Sequence, residues 1–335
     1  MELSQIFQII QIHSQVKLVF NMISIVIPLF NEEENVTQLH DRLTNCSSLW
    51  KEDYEIIFVD DGSYDGTLDM LQEICTRDKH IKTIKLSRNF GHQAAISAGI
   101  RYAKGDAVVI MDGDLQDPPE ELPRFLDKWR EGYHVVFAIR QKRKEPFVKK
   151  LAYSTFYRLL RTISDINIPL DSGDFCVMDK KVVKVLNNEM VEHSRFVRGL
   201  RAYAGFKQIG VKYERSERAA GEVKYTFRKL LKLALDGLLD FSTFPLRIAT
   251  YLGFLIAFPS FIVGLFFIIH RLFDFKILGY SPSDTPGLAS LAVGVFFLGG
   301  VIMVILGVIG EYIGRIYFEV KKRPFYIIDE IDNNE

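Results

Sequence analysis

Short β-branched runs alternate along the chain with longer stretches whose apolar residues recur every three or four positions. Ile23 to Pro28 (ISIVIP), Glu55 to Val59 (EIIFV), Ile81 to Leu86, Asp106 to Met111 (DAVVIM) and Val135 to Ile139 read as strands. Between them, Glu33 to Leu49, Asp65 to Arg77, Gly91 to Ala103 and Pro119 to Arg130 read as helices. Strands separated by helices of this length predict a mostly parallel sheet in a three-layer α/β domain. Ligands on such a sheet bind beyond the carboxyl ends of strands. That rule selects the residues after Pro28, Val59 and Met111. Past residue 140 the pattern loosens into a basic loop, Lys142 to Lys150, and a helical stretch from Phe147 to Ile163. A further short strand is expected around Ile209 to Tyr213.

The pattern then changes character. Phe227, Leu230, Leu231, Ala234, Leu235, Leu238 and Phe241 share one helical face, with Arg228, Lys229, Lys232, Asp236 and Asp240 opposite. Such a helix fits the headgroup layer of a bilayer. Ile248 to Ile269 and Thr285 to Gly310 carry no charged residue. Each run is long enough to cross about 30 Å of hydrocarbon as a helix. The first contains Pro259, expected to kink it, and the second carries small residues that allow close helix approach. Basic residues flank the pair on the outer sides, at Arg228, Lys229, Lys232 and Arg247 before it and Arg315, Lys321, Lys322 and Arg323 after it. The linker from Arg271 to Asp284 holds only Arg271 and Lys276. The positive-inside rule then puts both termini and the α/β domain in the cytoplasm. The expected organisation is an N-terminal extension (1–21), an α/β domain (22–224) and an amphipathic interfacial segment (225–244). Two membrane helices follow within 245–314, spanning 246–270 and 286–312, and then a cytoplasmic tail (315–335).

Composition narrows the function. Among 335 residues, 42 Lys and Arg balance 42 Asp and Glu, which disfavours a nucleic-acid-coating protein. Cys46, Cys75 and Cys176 are widely spaced and form no CxxC pair, so they read as reduced thiols of a cytosolic domain. No GxGxxG, GxxxxGK[ST] or HExxH is present, which disfavours a dinucleotide fold, a P-loop ATPase and that class of zinc protease. Neither charge-free run holds a midplane polar site for a transporter.

Carboxylates gather at the selected strand ends. Asp112-Gly113-Asp114 follows the fourth strand, with Gln116 and Asp117 behind it. Oxygen donors so spaced suit a hard cation, Mg²⁺ or Mn²⁺, bridging to phosphates. Asp60-Asp61-Gly62-Ser63 ends the second strand and can meet a base or ribose, while Asp65 reads as a cap of the next helix. Pro28-Leu29-Phe30-Asn31-Glu32 ends the first.

Together, IVIPLFNEEENV, IIFVDDGSYDGT, LSRNFGHQAAISAGI, VVIMDGDLQDPPE and DSGDFCVMDKKVV resemble the inverting GT-A glycosyltransferases of family 2 that act on polyprenyl phosphate. These include dolichol-phosphate mannose synthase and the bactoprenol glucosyltransferases. The resemblance covers about residues 22 to 240, and the two apolar runs after FSTFPLR look like the bactoprenol branch. It implies a GT-A nucleotide-sugar-binding domain with a C-terminal transmembrane hairpin. Pro28, Phe30, Glu32, Val59, Asp61, Asp112, Gly113 and Arg140 would then hold the nucleotide sugar, and Asp112, Asp114 and Gln116 the metal. Arg218 and Lys224, in RAAGEVK, would act on the diphosphate. Asp174, in SGDF, would be a base or an acceptor organiser; the alternative is a structural carboxylate paired with an arginine such as Arg195. The implied reaction moves a sugar, UDP-glucose or a related UDP-sugar being the donor, onto undecaprenyl phosphate at the inner face of the cytoplasmic membrane. GDP-mannose as donor remains open, because NFGHQAA departs from the bactoprenol branch. A homotetramer is also implied. A processive polysaccharide synthase would need a QxxRW motif, and neither Trp50 nor Trp129 sits in one. The intact Asp-X-Asp argues against an inactive membrane scaffold.

Overall fold

The computed structural model describes residues 22–141, 172–192, 195–214, 244–273 and 287–333. The first part of the chain alternates strand and helix: β1 (Met22–Leu29), α1 (Glu33–Ser47), β2 (Asp53–Asp60), α2 (Thr67–Arg77), β3 (Ile81–Leu86), α3 (His92–Tyr102), β4 (Ala107–Ile110). A 3₁₀ turn (Pro119–Glu121) leads into α4 (Leu122–Arg130), then β5 (Val135–Gln141). These lie within a few residues of the expected elements. β6 (Ser172–Asp179), α5 (Lys180–Asn188), α6 (Val197–Tyr203) and β7 (Gln208–Glu214) follow. The long helices α7 (Phe244–Phe273) and α8 (Gly287–Lys321) come next, and β8 (Ile328–Asn333) is last.

The sheet runs β7-β5-β6-β4-β1-β2-β3-β8. Its centre, β4-β1-β2-β3, is parallel, and β1 is buried from Ile23 to Leu29. Burial on both faces is why this strand reads as a nearly unbroken apolar run. Parallel ladders are the majority, as expected (β1–β2, β1–β4, β2–β3 and β5–β7), but β6 pairs antiparallel with both β4 and β5, and β8 pairs antiparallel with β3. The sheet is mixed. β6 escapes a hydrophobic-run search because Ser172, Gly173 and Asp174 make its first half polar.

β8 changes the reading of residues 315–335 as a tail. Ile328–Asn333 is an edge strand of the same sheet, with Lys85 Nζ 2.7 Å from Asp329 Oδ2 and the Ser87 amide donating to the Ile327 carbonyl. Its acidic side chains, Asp329, Glu330 and Asp332, are the kind of charge that protects an exposed sheet edge from further pairing. The described residues form two compact units: the sheet with its flanking helices and β8, and the pair α7 and α8. α7 continues as helix through Pro259. One stretch among the described residues, Phe297–Lys321, is long and apolar enough to cross a membrane. Residues 1–21, the loop from Lys142 to Lys150, the predicted helix from Phe147 to Ile163 and the amphipathic stretch before Phe244 lie outside the described residues.

A buried polar knot fixes the amino ends of the central strands. Glu55 accepts from the Ser24 hydroxyl and the Lys104 amide, and Lys82 Nζ lies 3.9 Å away. Glu55→Ala leaves Lys82 buried without its counter-charge. The expected loss is about 3 kcal/mol of unfolding free energy, measured by denaturant titration of the purified full chain.

Candidate active site

The carboxyl ends of β1, β2 and β4 open on one side of the sheet, as parallel strands require. Their loops are stitched together. The Asn31 amide donates to Ser63 Oγ at 3.0 Å, and the Tyr64 amide donates to Asn31 Oδ1 at 2.9 Å. Asn31 sits at φ 53°, a left-handed conformation that asparagine tolerates. The Phe30 ring stands edge-on to Tyr64, with centroids 5.9 Å apart. Glu32, at the N-cap position of α1, accepts from the Asn35 side-chain amide at 2.6 Å, which ties its carboxylate to the first turn without capping a backbone amide. Pro28 and Val59 are buried backbone neighbours across the β1–β2 ladder. Asp65, expected as a helix cap, instead accepts from the Thr67 amide across Gly66, which holds the N-cap position, and so ties down the turn into α2.

Asp61 is buried and accepts from the Phe90 and Gly91 amides at 2.7 and 2.9 Å. Burial pushes its carboxyl up, against the pull of those two amides. Its structural effect is to anchor the β3–α3 loop to the end of β2. Gly91, at φ 101°, turns that loop into α3, whose first residue is His92.

The Asp112-Gly113-Asp114 turn follows β4. A Cβ on Gly113 would lie 2.2 Å from Leu29 Cδ2, so a larger residue here requires the Leu29 side chain to move. The Gln116 amide donates to Asp114 Oδ1 at 3.1 Å, and buried Leu115 takes a left-handed φ of 59°. Sparsely populated backbone of this kind is concentrated at functional sites. Behind the turn, the Tyr213 hydroxyl donates to buried Asp117 at 2.5 Å.

β6 brings Asp174 to the same place. The antiparallel β4–β6 ladder pairs Ile110 with Cys176, and the same register brings Asp112, two residues after Ile110, toward Asp174, two residues before Cys176. His92 Nε2 stands between them, 3.5 Å from Asp112 Oδ1 and 3.6 Å from Asp174 Oδ2. On the other side, Arg198 Nη2 of α6 is 3.2 Å from Asp174 Oδ2. Arg201, one turn on and buried, stacks over the Phe137 ring at 5.4 Å. Asp174 therefore pairs with Arg198 and His92. Arg195, the arginine named for the alternative structural reading, donates instead to the Leu186 carbonyl.

These contacts set the charges. Burial alone would raise the Asp174 carboxyl, but Arg198, His92 and Arg201 outweigh it and hold it well below the usual carboxylate range. Burial alone would lower His92, but its close contact with Asp174 and the charges of Asp112 and Asp174 push it up to about 9. Asp112 goes the other way, to about 6: burial raises it, His92 opposes, and the charges of Asp117, Asp174 and Asp114 raise it further. Negative charge is thus crowded at Asp112. Two carboxylates one residue apart, under that crowding, fit a hard divalent cation. No group of three His, Cys, Asp or Glu side chains is arranged to hold a metal among the described residues. A cation here would therefore draw its remaining ligands from water or a bound diphosphate, as Mg²⁺ commonly does.

Of the sequence-predicted residues, the structure brings Asp112, Gly113, Asp114, Gln116 and Asp174 to one side of the sheet with the β1 and β2 loops. Arg140 lies in β5 opposite Tyr213, with its side chain outside the described residues. Arg218 and Lys224 also lie outside them. His92 and Arg198 were not singled out from the sequence. Applying the strand-end rule to the third strand as well as to the first, second and fourth leads directly to LSRNFGH.

Residues 24–186 match the family described as Glycosyl transferase family 2. The chain is 46% identical over 308 residues to the uncharacterized glycosyltransferase YkcC of Bacillus subtilis, covering 92% of this chain and 93% of that one. The chain belongs to glycosyltransferase family 2. Its mixed sheet, with an acidic turn after β4, is GT-A-like. A prophage bactoprenol glucosyl transferase homolog of Escherichia coli is 40% identical over 92% of this chain and 99% of its own length. The bactoprenol glucosyl transferase of Shigella phage SfII is 40% identical over 91% and 97%. The apolar C-terminal helices are thus included in what these relatives share with it.

Proposed function

We propose that this family 2 glycosyltransferase moves a sugar from a nucleotide-diphospho-sugar, UDP-glucose or a related UDP-sugar, to the phosphate of a polyprenyl lipid, undecaprenyl phosphate, with inversion. The observation that carries this reading is the clamped Asp174. A carboxylate held ionised by Arg198 and His92 is a poor proton acceptor, so the site suits a nucleophile that arrives without a proton to lose. A phosphate monoester is such a nucleophile, since its second ionisation lies near pH 6. The bactoprenol names of relatives matched along most of their length support the same acceptor.

The acceptor oxygen attacks the anomeric carbon as the bond to the donor diphosphate breaks, and the bonding pair leaves with the diphosphate. Asp112 and Asp114, with Gln116 beside them, would hold Mg²⁺ or Mn²⁺, which supplies Lewis-acid stabilisation of the departing diphosphate. Arg218 and Lys224 are the proposed cations on the same group. Phe30, Glu32, Asp61 and the buried backbone of Pro28 and Val59 form the nucleotide side. Asp61 does so by fixing the β3–α3 loop. Asp174 keeps Arg198 oriented at the acceptor side.

Catalysis on a polyprenyl lipid calls for a membrane-bound enzyme, and α7 and α8 supply the candidate spans. α8, at 35 residues, extends about 52 Å, more than the hydrocarbon thickness. Large apolar side chains on both helices are exposed, among them Phe254, Phe258, Phe297 and Met303. β7 before the helices and β8 after them belong to one sheet. The chain between must therefore cross a membrane an even number of times. A two-span hairpin with the sheet on the cytoplasmic face satisfies that count and the positive-inside rule. The native cysteines are buried, which keeps labelling background low. Ser283→Cys is expected to react with an impermeant maleimide on intact cells and Asn334→Cys only after lysis. The reverse pattern contradicts the orientation.

The reaction itself is tested with purified protein, polyprenyl phosphate, Mg²⁺ and labelled UDP-glucose, UDP-N-acetylglucosamine and GDP-mannose. Transfer of label from a UDP-sugar into the lipid phase is expected. Label moving only from GDP-mannose overturns the donor assignment, and no transfer from any donor overturns the reaction.

A further inference from the structure

Arg198 sits on α6, a helix of seven residues. A helix this short does not hold its place by its own hydrogen bonds, because isolated helices below about 12 residues are marginal in water. Its position comes from what it is tied to. Val197, Gly199, Leu200 and Arg201 are buried, and Arg195 fastens the approach to α6 by donating to the Leu186 carbonyl of α5. The start of the helix has no cap of its own, since Phe196 stands at the N-cap and makes no side-chain capping bond. The cap comes from another helix. The Val197 amide donates to Gln93 Oε1 of α3 at 2.9 Å, across 104 residues of sequence.

Gln93 is itself well anchored. Its carbonyl accepts from Ser97 Oγ at 2.7 Å, and the loop before it is pinned to Asp61 through the Phe90 and Gly91 amides. His92, its neighbour, lies 3.6 Å from Asp174. Consecutive residues of α3 thus meet both members of the Asp174–Arg198 pair: His92 the carboxylate, and Gln93 the helix that carries the arginine.

We infer that Gln93 is a positioning residue for the acceptor side of the site: by capping α6 it sets Arg198 against Asp174. The inference rests on the reading of Arg198 as an acceptor-side cation given above. A side-chain oxygen at a helix start satisfies an amide that has no intrahelical partner. Arg198 follows Val197 directly, so the amide that Gln93 holds is one residue from the arginine it places. Without that bond the first turn of α6 is free to move, and Arg198 moves with it. The nucleotide side has ties of its own, Asp61 to the β3–α3 loop and Asn31 to Ser63 and Tyr64, and none of them passes through the Gln93 side chain. Loss of the cap is therefore an acceptor defect and not a donor defect.

Gln93→Met keeps the length of the side chain and removes the acceptor oxygen. It is expected to raise the KM for polyprenyl phosphate about tenfold, as misplacement of a group that positions a reactant implies. UDP binding in the presence of Mg²⁺ is expected to stay at the wild-type value. Gln93→Ala, which leaves no side chain to misplace, is expected to match it. Gln93→Glu keeps an oxygen that accepts from the Val197 amide, and a negative charge is favourable at a helix N-terminus. It is expected to retain the wild-type acceptor KM.

The experiment uses the full-length protein and varies polyprenyl phosphate against saturating labelled UDP-glucose, or whichever donor of the panel above transfers. Wild type, the three Gln93 variants and Arg198→Ala are compared, with calorimetric UDP binding and thermal unfolding of each. A raised acceptor KM in the Met and Ala variants, with UDP binding kept and the Glu variant restored, supports the inference. Wild-type acceptor KM in a folded Met or Ala variant overturns it. So does a parallel loss of UDP affinity, or a Glu variant as defective as the other two. Arg198→Ala separates the two claims: a raised acceptor KM there sustains the acceptor-side reading of Arg198 whatever Gln93 does. Unchanged acceptor kinetics in a folded Arg198→Ala removes that reading and this inference with it.

Discussion

Asp114→Ala is expected to lower sugar transfer about a thousandfold, which corresponds to the several kcal/mol that a Lewis-acid contact contributes in the transition state. The turn that presents Asp114 is rigid. Gly113 passes against Leu29, Leu115 is buried in a left-handed conformation, and the Gln116 amide bonds to the Asp114 carboxylate. An alanine cannot be compensated by a small shift of such a turn. Asp112 cannot make up the loss, because it is already the other proposed ligand and would be left as a single carboxylate for the cation. Asp114 is half-exposed at a loop, so folding and membrane insertion are expected to survive. The check is transfer rate over a Mn²⁺ titration for wild type and variant, with circular dichroism of both. A variant with wild-type rate and wild-type metal dependence contradicts the assignment.

Asp174→Asn is expected to lower the rate about a hundredfold while leaving the acidic limb of the pH–rate profile where it was. The size follows from misplacement of groups that position a reactant. The absence of a shift follows from sign. Arg198, His92 and Arg201 hold the folded-state carboxyl below its ordinary range. Asp174 is therefore ionised throughout any practical assay and cannot supply the limb. The same depression gives a stability signature. Its contribution is present above the ordinary carboxyl range and lost as pH falls toward the depressed folded value, so wild type should lose more stability than Asp174→Asn in strong acid. The rate limb should instead follow the second ionisation of the acceptor phosphate, near pH 6. Transfer rate against pH at saturating acceptor decides it. Disappearance of the wild-type acidic limb in Asp174→Asn would make Asp174 the titrating base.

The central strands were legible because each is buried on both faces, so β1, β2, β3 and β4 are written as apolar runs bounded by turns. The acidic turn was legible for a related reason: it follows such a run directly. β6 was not, because its site-bearing half is polar, and its pairing between β4 and β5 is a long-range property. β8 was hidden differently. IDEIDN is short and acidic, and only its pairing with β3, some 240 residues earlier in the chain, makes it a strand. Arg198 and His92 carry no local signal of their chemistry. Their roles arise from where α6 and α3 begin relative to Asp174, which spacing along the chain does not encode. The motif resemblance supplied Asp174 without its partners, and the partners are what turn a candidate base into a fixed charge.

The account's central claim is that the acceptor is a nucleophile already ionised. The direct measurement offers the purified enzyme two lipids of equal chain length, a polyprenyl phosphate and the corresponding polyprenol, with the same labelled UDP-sugar. Transfer to the phosphate with none above background to the alcohol is the predicted result. Comparable transfer to the polyprenol would show that the site deprotonates a hydroxyl, and would contradict the reading of Asp174 as a clamped, non-basic carboxylate.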